Sequence, residues 1–382
     1  MQKRPSIPQQ IPVFLGFFVM GFVDVVGIAT NYAKKDLGLK DSVANLLPLT
    51  VFIWFALFSV PIGMWMNRIG RRKTVGLGLA LTAAAMLIPL AKYDFNTLLL
   101  TFALAGIGNT LLQVALNPLL TNVVDPARLT SALSAGQFIK AIASFLGPII
   151  AATASTAFGN WKLIFPTFAA ISALNTLWLL ATPIAEESAD PGQSSTSMRA
   201  CFSLLKDPFI AQLLIGVIAV VGIDVGLNTT LPKFLMARTG LPLEKAGLGT
   251  SLYFIARTTG SLAGVVLLMR LKNRFFFILS ATTGLVALAA LLVAPALWVI
   301  LPLIFLLGFA LANIFPILFA AALHRAPGRQ NEVSGLLIMG VSGGAILLPI
   351  MGLLGDASGP TAALAFLLLA WAYLAWTGTK LR

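Results

Sequence analysis

The chain has 382 residues, of which 58% are hydrophobic and only 10% charged, with a formal net charge of +13. Soluble domains carry about 25% charged residues, so this composition, with a mean hydropathy of +0.92, excludes a soluble enzyme and points to a bilayer as the solvent. The basic excess does not mean nucleic-acid binding, because Lys and Arg cluster in short breaks between apolar runs and form no stripe with interleaved aromatics. With one cysteine, Cys201, and one histidine, His324, no intramolecular disulfide, metal cluster or cofactor is expected.

After Lys3 and Arg4, an apolar run over 11–33 reads as a first membrane span, too long for a signal peptide and followed by many more. About 20 apolar residues cross the hydrocarbon core, and further runs of that kind fall at 44–66, 74–92, 97–120, 130–158 and 162–183. A polar stretch, 184–207, then carries Glu186, Glu187, Asp190, Pro191 and a Ser/Thr run, and reads as a linker with a short surface helix from Met198 to Leu205. Apolar runs resume at 208–236, 246–271, 275–293, 296–323, 330–355 and 359–380. They are continuously apolar and rich in Ala, Leu and Gly, which predicts helices rather than alternating barrel strands. The expected architecture is all-α and integral to the membrane: an N-terminal six-helix half over 1–183, a linker over 184–207 and a C-terminal six-helix half over 208–382.

Basic residues orient such a chain. One set of breaks holds sixteen: Lys3, Arg4, Arg68, Arg71, Arg72, Lys73, Arg128, Arg199, Lys206, Arg270, Lys272, Arg274, Arg325, Arg329, Lys380 and Arg382. The opposite set holds eight: Lys34, Lys35, Lys40, Lys92, Lys162, Lys233, Arg238 and Lys245. The excess places both termini on the cytoplasmic side. The halves also echo each other: Gly38-Leu39 and the run ending at Arg68 recur as Gly240-Leu241 and the run ending at Arg270, and Val23-Asp24-Val25 recurs as Ile223-Asp224-Val225. Two halves of six spans share one orientation, which predicts a repeat axis along the membrane normal and a substrate site near the midplane.

Asp24, Lys140, Asp224 and Arg257 fall inside predicted spans. Each costs at least about 2.5–3.5 kcal/mol at a helix centre, so each needs a partner or a watery cavity. Placement alone pairs Asp24 with Lys140 and Asp224 with Arg257. Such pairs either knit helices together or act as a proton or substrate switch, with Asp24 as the coupling acid. Asn31, Asn109, Gln113, Asn117, Gln137, Asn228 and Asn313 add a lining suited to hydroxyls, Gln113 and Gln137 foremost, and Trp54 and Tyr253 are aromatic candidates for stacking on a sugar face.

Three stretches carry a family resemblance. Gly63-Met64-Trp65-Met66-Asn67-Arg68-Ile69-Gly70-Arg71-Arg72-Lys73 resembles the loop 2–3 signature of the major facilitator superfamily, with Gly63, Arg68, Gly70, Arg71 and Arg72 as gating-loop residues and Asn67 where that signature has an acid. Gln113 to Pro118 followed by Ser134 to Lys140, and Ser334 to Pro349, resemble spans 4, 5 and 11 of the fucose permease family of sugar–proton symporters. The resemblance implies uptake of a monosaccharide with a proton (Na+ being the alternative ion) by a monomer in a bacterial-type inner membrane, with Asp24 matching the family's span 1 acid. Gln113 replaces a family acid and Lys140 a family asparagine. Together with Arg257 they tilt the substrate toward a sugar carrying a carboxylate, such as a sialic or uronic acid; alternatively Lys140 only neutralises Asp24. The binding set is then Lys140, Gln113, Gln137, Asn117, Asn31, Asp224, Asn228, Tyr253 and Arg257. A rival reading on the same fold is an exporter of a drug-like or other small metabolite.

Overall fold

In hydrocarbon each backbone N–H and C=O must be satisfied within the segment, which leaves helices as the outcome for continuously apolar runs. The computed structural model describes residues 7–39, 41–44, 46–185, 198–241, 243–343 and 347–381, and every regular element among them is helical. Lys3, Arg4, Lys40, Glu186, Glu187, Asp190, Pro191, Arg382 and residues 344–346 of the last motif lie outside the described residues. In chain order the helices are α1 (Ile7–Met20), α2 (Val26–Leu37), α3 (Asp41–Ala44), α4 (Leu46–Ile69), α5 (Arg71–Ala91), α6 (Phe95–Val123), α7 (Leu129–Phe158) and α8 (Ile164–Ala181). After the linker come α9 (Met198–Ser203), α10 (Pro208–Thr239), α11 (Leu243–Leu267), α12 (Asn273–Val293), α13 (Leu297–Leu311), α14 (Ile314–Arg325), α15 (Gln330–Gly343), α16 (Leu347–Ser358) and α17 (Pro360–Lys380).

Eleven stretches among the described residues are long and apolar enough to cross a membrane, and α11, the eighth expected span, is not one of them. Its 25 residues include Thr250, Ser251, Arg257, Thr258, Thr259 and Ser261, a polar content suited to neighbours or water rather than lipid. With α11 the long helices reach the expected twelve.

Among the described residues, two spans are broken. The first is α1 and α2 joined by a five-residue 3-10 segment, Gly21–Val25, and the tenth is α13 and α14 joined at Ala312-Asn313. A mid-helix 3-10 turn commonly marks a functional hinge. Its counterpart in the repeat, α10, runs unbroken through Asp224. At the third residue before the acid the first span has Gly21, on which a Cβ would meet Lys140 O at 2.6 Å and Ala143 Cβ at 2.7 Å. The seventh has Val221 there, whose bulk prevents so close a backbone approach.

The repeat is nonetheless physical at the far ends of these spans. Gly38 closes α2 with φ +62° and Gly240 closes α10 with φ +68°, both left-handed helix caps that favour glycine. In the last turn of α2, Asp36 accepts hydrogen bonds from Trp161 Nε1 at 2.8 Å and Tyr93 Oη at 3.0 Å, which ties the end of that helix to the α5–α6 and α7–α8 connections.

The chain forms two compact units. One comprises Met1–Leu129, Gly136–Ser203 and Ala326–Met339, and the other Thr130–Ala135, Leu204–Arg325 and Gly340–Arg382. The helices α7 and α15 each contribute residues to both units. In the first unit the Phe22 ring stacks on Phe168 at 3.8 Å between centroids. In the second, Trp371 fills the space over Gly284. Stacked rings and large side chains set over glycine provide the close packing that drives helix association in lipid.

Candidate functional site

Asp24 sits within the 3-10 segment and is exposed, so its carboxylate meets open space rather than packed side chains. Ser144 Oγ on α7 donates to Asp24 Oδ2 at 2.5 Å and lies 3.0 Å from Lys140 O, one turn earlier on its own helix. The expected Asp24–Lys140 ion pair is absent: among the described residues the half-buried Lys140 side chain makes no hydrogen bond or ion pair. The close approach at Gly21 explains this, because it brings the Lys140 backbone, rather than its ammonium, against the first span.

The break in the first span has a second consequence. A 3-10 turn shifts the i→i−4 ladder, and Met20 O accepts from Asn109 Nδ2 on α6 at 2.6 Å. Gln113 Nε2 donates to Asn109 Oδ1 at 2.9 Å, and Asn117 Nδ2 donates to Gln113 O at 2.9 Å. These residues are spaced by four, so they line one face of α6 as a polar ladder. Asn117 is buried and Gln113 half-buried. Gln137 on α7 is half-buried and Asn31 on α2 is exposed.

In the second unit the expected pair does form. Arg257 Nη1 on α11 donates to Asp224 Oδ1 and Oδ2 on α10, both at 2.6 Å, and Tyr253 Oη donates to Oδ1 at 2.7 Å. Arg257 and Asp224 keep 33% and 25% of their side-chain surface exposed, enough to meet a solute. Tyr253 is fully buried. Its ring presents no face for stacking on a sugar, and its hydroxyl instead orients Asp224. Trp54 is stacked on Phe58 at 5.1 Å between centroids. The half-buried Asn228 offers its carbonyl, left without a helical donor by Pro232, to Thr250 Oγ1 at 3.5 Å.

Of the residues expected to form a gating loop, Gly63 and Arg71 meet the start of α15. A Cβ on Gly63 would meet Asn331 O at 2.6 Å and Gly335 Cα at 3.1 Å, so this glycine permits backbone-to-backbone packing of α4 on α15. Gly70 starts α5 at φ +86°. Arg71 donates to Asn331 Oδ1 (2.7 Å), Pro118 O (3.1 Å), Thr121 Oγ1 (2.9 Å), Asn122 Oδ1 (2.8 Å) and Gln330 Oε1 (2.9 Å), which joins α5, α6 and α15. Arg72 donates to Thr182 O at 2.5 Å, and Arg68 is exposed.

The acid absent from position 67 is supplied from elsewhere in the chain. Glu332, 2% exposed, accepts from Asn67 Nδ2 at 3.0 Å, and Asn67 Oδ1 accepts from Asn331 Nδ2 at 2.8 Å. No local sequence signal marked Glu332. It is a charged residue in the first turn of an apolar run, a position that ordinarily reads as a helix start. The Asn117-Pro118 step contributes as well: Pro118 has no N–H for Val114 O, and that carbonyl accepts from Ser334 Oγ at 2.5 Å.

Helices long and apolar enough to cross a membrane, a broken first span bearing an exposed acid and a basic loop bonded to a distant helix are the arrangement of a membrane transporter. The Major Facilitator Superfamily family model matches residues 13–249, more than half of the chain, and the chain belongs to that superfamily. It is similar to a glucose/galactose transporter of Brucella abortus biovar 1 (strain 9-941), 26% identical over 95% of this chain and 91% of that protein. It is also similar to an L-fucose-proton symporter of Haemophilus influenzae, 23% identical over 93% of this chain and 90% of that protein. The crystal structure of the superfamily transporter FucP in the outward conformation shares the fold at a TM-score of 0.86, with 17% identity and 99% of both chains covered.

Proposed function

We propose that this protein is a secondary transporter that takes up a monosaccharide or a sugar acid together with a proton. The observation that carries the proposal is the setting of Asp24: exposed, bonded to the Ser144 hydroxyl and not neutralised by Lys140. A hydroxyl can reverse the sense of its hydrogen bond. With Asp24 ionised, Ser144 donates to it; with Asp24 protonated, the acid donates to Ser144, which then donates to Lys140 O at 3.0 Å. The pair thus accommodates both protonation states without leaving a donor or acceptor stranded, as a coupling acid requires. The names of the bacterial relatives, which refer to glucose, galactose and L-fucose, support a sugar as cargo. The unpaired ammonium of Lys140 favours a carboxylate on that sugar. The basic-residue excess supports cytoplasmic termini, and the bacterial relatives support an inner membrane. The protein acts as a monomer in this reading.

The deciding measurement is uptake into proteoliposomes under an imposed pH gradient, comparing neutral hexoses with sialic and uronic acids in wild type and Lys140→Asn. Sugar acids should compete best with wild type, and the variant should shift preference toward neutral sugars. If sugar acids never compete and Lys140→Asn leaves selectivity unchanged, the sugar-acid reading fails. Accumulation independent of the pH gradient would remove the proton.

A further inference from the structure

The second unit carries a groove of about 960 Å3 that the transport site does not use. It lies where the N-terminal ends of α10 and α12 meet the C-terminal ends of α14 and α17, and Lys206, Asn273, His324, Arg325 and Lys380 line its mouth. Its walls are apolar, with Phe209, Ile215, Ile317 and Trp376 among them. Ile215 and Trp376 are 49% and 51% exposed, so the groove opens onto the surface that faces lipid.

The charges at the mouth are unequal in status. Asp207, the N-cap of α10, accepts from Arg325 Nε at 2.7 Å and so neutralises Arg325. Lys206 and Lys380 are exposed and make no ion pair among the described residues. Deeper in, Tyr373 Oη donates to Gln212 O at 2.9 Å, while Gln212 Nε2 is a buried donor with no partner among the described residues. An unmet buried donor costs about 1–3 kcal/mol unless a ligand satisfies it.

We infer that this groove holds an anionic phospholipid of the cytoplasmic leaflet. The headgroup phosphate lies between Lys206 and Lys380, Gln212 Nε2 donates to an oxygen of the phosphate or glycerol ester, and an acyl chain runs along Ile215, Ile317 and Trp376. Two unneutralised lysines set over an apolar wall match a ligand with a negative head and a hydrocarbon tail, and an interfacial Trp-Tyr pair is what that depth of a membrane selects. Free phosphate would satisfy the lysines but leave the apolar wall idle. The site concerns the lipid and not the cargo, so it stands or falls apart from the sugar reading.

The test uses the purified full chain in detergent with added phosphatidylglycerol, phosphatidylcholine or inorganic phosphate, reading retained lipid by native mass spectrometry and thermal midpoint in parallel. Phosphatidylglycerol should be retained and should raise the midpoint, and neither of the others should. K206Q/K380Q should lower phosphatidylglycerol retention roughly twentyfold, while K73Q/R128Q, an equal loss of charge at exposed sites outside the groove, should change it less than about twofold. Q212L should lower retention with the lysines intact. Equal retention of both lipids, equal loss in both double variants, or a midpoint rise from inorganic phosphate alone would each overturn the lipid site.

Discussion

Asp24 and Asp224 occupy matching places in the repeat and meet different chemistry. Asp224 faces a guanidinium and a phenol, so its charge is balanced in place; Asp24 faces a hydroxyl that can either donate or accept. Asp24→Asn is expected to abolish accumulation driven by a pH gradient while sparing counterflow exchange of substrate, measured in proteoliposomes. Asp224→Asn removes the carboxylate that balances Arg257. Removing one partner of a fully buried pair costs roughly 3–5 kcal/mol, and the retained exposure of both side chains reduces that here to about 2 kcal/mol. Adding Arg257→Met should recover part of the loss, and a double-mutant cycle on thermal stability should return a coupling of about 1–2 kcal/mol. A coupling near zero would make the pair incidental. Ser334→Ala leaves Val114 O without a donor at the Pro118 gap, and should cost about 1 kcal/mol in stability.

At the scale of elements, the first turn of α15 is held by α4, α5 and α6, and under the proposed transport function that hold is the contact expected to release. Cys201 on α9 reports on it, because its thiol is buried and lies 3.6 Å from Glu332 O. Burial, reinforced by the Glu332 charge and partly offset by Arg329, pushes the thiol up to about 11. Maleimide reacts with the thiolate, so labelling of the held state should be slow at pH 7 and rise about tenfold per pH unit until about pH 11. Gly63→Val sets a side chain against the backbone of Asn331 and Gly335, neither of which can turn aside. That variant should free α15, return the thiol toward its ordinary value of 9.0, and speed labelling at pH 7 by up to about a hundredfold. Unchanged labelling with wild-type stability would mean that the glycine contact does not hold the helix. The same element shows where sequence reading stopped. The glycines and arginines of the 63–73 loop stood out in the sequence through their resemblance to the superfamily's loop 2–3 signature. Their partner Glu332 was not, because Asn67 and Glu332 meet across 265 residues of chain.

For the whole molecule, orientation is the property most open to a direct check. Fluorescent-protein and alkaline-phosphatase fusions after the last residue should be bright and inactive respectively, as a cytoplasmic terminus requires; the opposite result would invert the topology. Span count, helical character, the repeated Gly-Leu motif and the superfamily followed from residue order alone. Each depends on properties that a single segment carries by itself: apolar length against bilayer thickness, backbone hydrogen bonds closed within one helix, and a left-handed cap that favours glycine. Packing decided the rest. Placement in the sequence pairs Lys140 with Asp24, and the close approach at Gly21 sets the Lys140 backbone there instead; the same approach accompanies the break in the first span that sets Asp24 beside Ser144. Which faces of which helices meet is fixed by contacts between segments far apart in the chain, and side chains only a few ångströms long convert that choice into an ion pair, a hydrogen bond or an unpaired charge.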